Sequence, residues 1–93
     1  MDSFRRILFW LLEGTKGGAT RIKLLRILIK KPSNIRQLSI SSGLDYKTTE
    51  HHIDLMEKNS ILECVGNKYG RVYFISEKIL NEDDFLKLLK SGE

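Results

Sequence analysis

The sequence predicts an α+β fold that is mainly α. Three observations lead there. Apolar residues recur at spacings of three and four through five separate segments, as amphipathic helices require. After Ser60 the period drops to two in a pair of short segments flanking the turn-rich stretch Gly66 to Gly70, the pattern of a β-hairpin. The length, 93 residues with 41% hydrophobic and 30% charged, suits one globular domain over 1–93 with one modest core.

Each element has its own signals. Ser3 to Glu13 reads as a first helix, with Ser3 or Asp2 as its cap and Gly14 past its end. Phe4, Ile7, Leu8 and Leu11 form one stripe, and Phe9, Trp10 and Leu12 spread apolar surface well beyond it. Such a helix needs cover on most sides, which predicts either a central position or a second copy of the chain. Gly14 to Gly18 is a flexible break. It lacks the Gly-x4-Gly-Lys-Ser/Thr order of a phosphate-binding loop and is read as a turn. Thr20 caps a second helix, Arg21 to Lys31, with Ile22, Leu24, Leu25, Leu28 and Ile29 inward and Arg21, Lys23, Arg26 and Lys30 outward. Pro32 ends it. Ser33 and Asn34 offer caps for a third helix, Ile35 to Ser42, with Ile35 and Leu38 inside and Gly43 as a left-handed C-cap. Asp45 caps a fourth helix, Tyr46 to Asn59, with Thr49, Ile53 and Met56 on its inner face. The hairpin follows over about 62–75. Asn81 then caps a last helix through Lys90, with Glu82, Asp83 and Asp84 at the positive end of its dipole.

Charge and cysteine content remove several functions. Lysine and arginine number 16 against 12 acids, a formal +4, which favours an anionic partner. The excess sits early: residues 1–31 hold eight basic and two acidic groups, and the other two thirds are each −1. One cysteine, Cys64, excludes an internal disulfide framework and a cysteine-based zinc finger. The longest apolar run, Ile7 to Leu12, is far short of the ~20 residues of a spanning helix. The expectation is a cytoplasmic protein without membrane insertion. His51, His52 and Cys64 fall short of a metal set, since adjacent helical side chains diverge by about 100° and a structural zinc needs four ligands. No nucleophile and base pair up, so no enzyme, no cofactor and no small-molecule effector are expected.

Two short helices joined by Gly43-Leu-Asp45, with a hairpin directly after the second, make a winged helix-turn-helix with a C-terminal helix. In that module the second helix presents its N-terminal half to base edges in the major groove. Tyr46, Lys47, Thr48, Glu50 and His51 occupy that half on the outward side. Lys47 and Thr48 can donate to bases or phosphates, His51 can donate or accept, and Glu50 can accept from a cytosine amino group. Lys16, Arg21, Lys23, Arg36 and Gln37 are the candidate phosphate contacts, with Lys68 and Arg71 on the wing and Tyr69 against sugar.

The stretch from Arg5 to Ser76 resembles the archaeal winged-helix transcriptional regulators of the ArsR-like superfamily. Arg6 to Arg21, Asn34-Ile-Arg-Gln-Leu38, Leu44-Asp-Tyr-Lys-Thr-Thr-Glu-His-His-Ile53 and Tyr69-Gly-Arg-Val-Tyr-Phe74 carry the likeness. It implies a homodimer on double-stranded DNA with a recognition helix starting at Tyr46. Glu50 departs from the basic or polar residue expected there, and Ser60 replaces the glycine that commonly ends the recognition helix. Helices 1–13 and 81–90 are the expected dimerisation elements, through Phe4, Ile7, Leu8, Trp10, Leu11, Phe85, Leu88 and Leu89. The competing expectation is a protein-interaction module with little DNA affinity, which the −1 charge of residues 32–60 favours.

Overall fold

The computed structural model describes residues 3–68 and 70–91. Its elements run α1 (Ser3–Glu13), α2 (Gly18–Lys30), α3 (Ile35–Ser42), α4 (Tyr46–Lys58), β1 (Leu62–Val65), β2 (Val72–Ile75), α5 (Glu77–Leu80) and α6 (Asp83–Lys90). The strands pair antiparallel, Leu62 opposite Ile75 and Val65 opposite Val72. This is the mainly helical α+β arrangement that the apolar periods imply. One continuous core takes side chains from every helix and both strands, among them Leu8, Leu24, Leu38, Ile53, Leu62, Tyr73, Ile79 and Phe85.

The turn chemistry reads out as the residues dictate. Asn34 and Gln37 form a capping box: the Asn34 side chain accepts from Gln37 N at 2.8 Å, and Gln37 Oε1 accepts from Asn34 N at 2.9 Å. Gly43 closes α3 at φ +77, and the Asp45 side chain accepts from Thr48 N at 2.9 Å to open α4. At the far end of α4, Ser60 N bonds Glu57 O and Ile61 N bonds Met56 O. Those two bonds form a Schellman motif with Ser60 in the left-handed position, at φ +63. A serine there carries the steric cost that glycine avoids.

Several boundaries differ from the sequence reading. Helix α2 begins at Gly18, not Arg21, with Gly17 as an N-cap that uses no side chain; Thr20 lies inside the helix. Gly18 permits this because its missing Cβ would stand 2.3 Å from the Leu12 carbonyl oxygen. Ile29, expected inward, is 41% exposed, since α2 turns that edge away from the core. Asn59 caps α4 and is not part of it. The last helix, α6, starts at Asp83 with Glu82 as N-cap. A short α5 that the sequence reading did not anticipate precedes it, with Asn81 as its C-cap and Ile79 as its buried anchor. Glu82 and Asp84 both accept from Arg5 of α1, so part of the acid cluster ties two helices together. Ser3 is already helical, and the alternative cap Asp2 lies outside the described residues.

The largest departure is Arg21. Expected on the basic outer face, it is 4% exposed. Its Nε donates to Leu11 O at 3.0 Å, Nη2 donates to Thr15 Oγ1, and Nη1 donates to His52 Nδ1 at 3.1 Å. Arg21 precedes Leu24, Leu25 and Leu28 by three, four and seven residues, so the helical period itself puts it on their inward face. Burial lowers its pKa, but an arginine stays charged. Burial, reinforced by the nearby charges of Arg21 and His51, holds the His52 imidazole below its ordinary value. The neutral ring is the form whose Nδ1 can accept from Arg21.

Two outcomes follow. Ser60→Gly should raise the unfolding free energy by roughly 0.5–1 kcal/mol in urea melts, because glycine relieves the left-handed strain at some entropic cost. His52 has a folded-state pKa below its unfolded value, so its stabilising contribution is complete above the unfolded pKa near 6.5. It is lost as pH falls through the lower folded value. The melting temperature should therefore drop between pH 7 and 5, and His52→Gln should flatten that drop; equal slopes in both proteins would rule the coupling out.

Candidate nucleic-acid interface

The site is built on one face of α4. Thr49, Ile53 and Met56 are fully buried, and Thr49 Oγ1 donates back to Asp45 O at 2.8 Å. With that stripe held down, Tyr46, Lys47, Thr48, His51 and Asp54 are exposed, and Glu50 is half-buried. Tyr46 is 51% exposed at the N-terminal end of α4, an unusual position for a large aromatic ring. The hydrogen bond from Thr48 draws the Asp45 carboxyl below its usual range, which keeps the cap ionised.

The wing is fixed by backbone to the segment that leads into α3. Tyr73 N donates to Ser33 O at 2.8 Å, and Ser33 N donates to Tyr73 O at 3.1 Å. This isolated antiparallel bridge joins β2 to the residue just before the α3 cap. Tyr73 is buried, and its phenol engages the Arg71 guanidinium, which raises the arginine's pKa.

Between α4 and the wing lies a hollow of about 670 Å³ lined by Asn34, Ile35, Arg36, Tyr46, Glu50, Asp54, Lys68, Arg71 and Tyr73. Arg36, Tyr46, Glu50, Lys68 and Arg71, which the sequence scatters over 36 positions, thus meet around one space. Its charges are mixed, three cations facing two carboxylates. Lys47, Thr48 and His51 are exposed on the same helix outside the hollow's lining.

The remaining candidates fall elsewhere. Lys16 is exposed in the α1–α2 turn and Lys23 on α2. Gln37 is exposed but spends its carbonyl oxygen on the capping box. Arg21 is withdrawn as a phosphate contact because its guanidinium is enclosed by Leu11, Thr15 and His52. Tyr69 lies outside the described residues. Asn34, Asp54 and Tyr73 belong to the hollow and escaped the sequence reading as site residues. The outward phase of Asp54 on α4 is legible in the helical period; the Ser33–Tyr73 pairing is long-range and leaves no local signal.

Of the expected dimer residues, Leu8, Leu11, Phe85 and Leu89 are buried inside the single chain. They are spent on its own core, where α1 and α6 meet α2, and are corrected out of any interface. Phe4 and Leu88 are partly covered at the edge of that core. Ile7 at 41% and Trp10 at 60% exposure remain open on α1.

Among the described residues, no group of three or more His, Cys, Asp or Glu side chains could hold a metal ion. Cys64 Sγ donates to Glu57 Oε2 at 3.1 Å, and that carboxylate, with partial burial, pushes the thiol pKa up. No helix among the described residues is long and apolar enough to cross a membrane.

No protein-family model matches the sequence, and no curated protein matches it. Solved structures do match. A predicted DNA-binding transcriptional regulator from E. coli superposes with a TM-score of 0.70 at 15% identity, over 94% of this chain and 83% of that one. The homodimeric winged helix-turn-helix DNA-binding domain of a possible ArsR-family regulator from Mycobacterium bovis gives 0.64 at 13% identity, over 96% and 80%. A MarR family protein from Bacillus stearothermophilus gives 0.63 at 20% identity, over 98% and 72%. At such identities the likeness is one of fold: α3, α4 and the β1–β2 wing form a winged helix-turn-helix.

Proposed function

We propose that this chain is a sequence-specific, double-stranded-DNA-binding transcriptional regulator that acts as a homodimer and has no catalytic role. The observation that carries the reading is the hollow between α4 and the wing, where Arg36, Lys68 and Arg71 surround Tyr46. A helix with one fully buried face and an exposed N-terminal half suits entry into the major groove. In this reading Lys47, Thr48, Glu50 and His51 meet base edges, and Lys68 and Arg71 meet flanking backbone or minor groove. Arg36, Gln37, Lys16 and Lys23 anchor phosphates. The whole chain 1–93 acts as one DNA-binding domain in the cytoplasm, of the ArsR-like kind and archaeal by its sequence resemblance. Its structural neighbours add weight, since the E. coli protein is described as DNA-binding and the M. bovis domain as a homodimer.

The dimer surface in this proposal is α1, through Ile7 and Trp10, with Phe4 and Leu88 at its margin. An exposed tryptophan beside an exposed isoleucine on one helix is apolar surface that a second subunit would cover. A two-fold pair using these helices would set its recognition helices near one DNA turn apart, ~34 Å, and would require a palindromic site.

A second reading has a specific observation behind it. Glu50 and Asp54 put two carboxylates in the hollow, which suits a protein partner better than a phosphate backbone. Selection of duplexes from a random pool at physiological salt separates the two. A DNA-binding protein should enrich a palindrome, and the double variant Lys47→Glu with Arg71→Glu should lose at least 100-fold in affinity at unchanged melting temperature. Failure to enrich any sequence would leave the interaction module as the better account. Light scattering tests the dimer: Trp10→Glu should run as a monomer, and an undiminished dimer would remove α1 from the interface.

A further inference from the structure

A second basic surface lies beside the reading hollow and is not used by it. Lys23, Arg26, Lys30 and Lys31 rim a groove along α2, with half-buried Ile27 and buried Ser33 in its wall. No acidic side chain lines it. Arg26 is committed: its Nε donates to Leu89 O at 2.7 Å and its Nη2 to Ser91 O, closing the end of α6. Lys23, Lys30 and Lys31 are exposed. The ion pairs among the described residues are those of Arg5 with Glu82 and Asp84, so no described carboxylate pairs with these three ammonium groups.

The groove and the hollow share a border. Ser33 lines the groove, and the next residue, Asn34, lines the hollow. Ser33 is also the residue whose backbone is bridged to Tyr73, another lining residue of the hollow. A polyanion seated against α4 and the wing that continues past the start of α3 therefore meets Lys31, then Lys30. Duplex DNA carries one negative charge per about 1.7 Å of axis, and lysine ammonium groups engage phosphates as flexible point charges. The hollow offers little net positive charge, so a flanking cationic strip would supply the sequence-independent attraction that it lacks.

We infer that the α2 groove is a phosphate track, extending the DNA footprint from the hollow across Asn34 and Ser33 onto Lys31, Lys30 and Lys23. The occupant is the sugar–phosphate backbone of the same duplex. The inference rests on the DNA-binding reading above, and it adds Lys30 and Lys31 as contacts. Phosphate contacts set affinity without carrying sequence information, so the track strengthens selected and scrambled duplexes alike.

The test compares Lys30→Gln/Lys31→Gln with a charge-matched control, Lys87→Gln/Lys90→Gln on α6, using a duplex selected by the wild-type protein. Affinity is read by fluorescence anisotropy from low to moderate salt, with melting temperature and light scattering to confirm fold and assembly. Loss of two contacts should make the slope of log affinity against log salt shallower by about 1.8, at 0.9 per phosphate. The control slope should stay at the wild-type value, and preference for the selected over a scrambled duplex should be retained. Equal slopes in wild type and the groove variant would overturn the track and leave DNA binding standing, with the groove open to an acidic protein partner. Equal shifts in both variants would also overturn it, as a bulk-charge effect. If the wild-type protein binds no duplex, the DNA-binding reading falls and the track falls with it.

Discussion

A guanidinium buried among neutral acceptors sets how the first half of this chain meets α4. Arg21 reaches Leu11 at the end of α1, Thr15 in the connecting turn and His52 in α4. Removing a charge from water costs several kcal/mol after relaxation, so the site has to replace that hydration. The replacement comes from groups whose dipoles point at the cation. Leu11 O belongs to the last turn of α1, where the carbonyls lack helical partners and the dipole is negative. The imidazole lone pair is available only while His52 is neutral. Gly17 packs against the same pair, since a Cβ there would come within 2.7 Å of Arg21 Nη1 and 3.0 Å of the His52 ring. The arrangement couples α1, which carries the exposed Trp10, to the helix proposed to read DNA.

The wing depends on a different constraint. Two strands of four residues each make a marginal unit alone. Here the hairpin gains a third backbone partner through Ser33, and its inward residues Leu62, Tyr73 and Ile75 are buried in the common core. The Ser76 hydroxyl donates to Ser60 O at 3.0 Å, and Ser76 N donates to Ile61 O at 3.0 Å. Those bonds tie the exit of the hairpin to the Schellman turn that ends α4. The wing is thus tied both to the segment before α3 and to the turn that ends α4, which sets where Arg71 stands relative to Tyr46.

The parts legible in the sequence were those set by local chemistry. The Asn34 cap, the glycine at 43, the Asp45 cap and the Thr49–Ile53–Met56 stripe are each specified within a few residues, and each appears at its expected place. Arg21 was misread because charge identity argued for the surface, although its spacing to Leu24, Leu25 and Leu28 places it on their inward face. The acceptors that Leu11, Thr15 and His52 supply there come from three other segments and leave no local signal. Similarly, Leu8, Leu11, Phe85 and Leu89 have the apolar character of an interface but are consumed by packing inside one chain. Only the third dimension separates them from Ile7 and Trp10. The short α5 follows the same logic, as buried Ile79 holds an extra turn ahead of the last helix and Arg5 pairs with Glu82 and Asp84 across from α1.

Under the proposed DNA-binding function, the mixed charge of the hollow reads as a division of labour. If all the cations were gathered on α4, the helix would bind any duplex through its phosphates and gain little selectivity. Specificity is a difference between affinities, and it rises when the wrong partner meets an unpaired or repelled group. A carboxylate such as Glu50 accepts from a cytosine amino group but repels backbone and leaves itself unsatisfied against a base with no donor. Placing Glu50 and Asp54 near the reading face lowers general attraction there. The basic residues of the α1–α2 turn and α2, with those of the wing, can restore it without reading sequence. The formal +4 is distributed in that sense: residues 1–31 hold the excess and the helix-turn-helix is near neutral. Under that proposal the strength of attraction and the choice of site reside in different elements, joined through the Ser33–Asn34 segment.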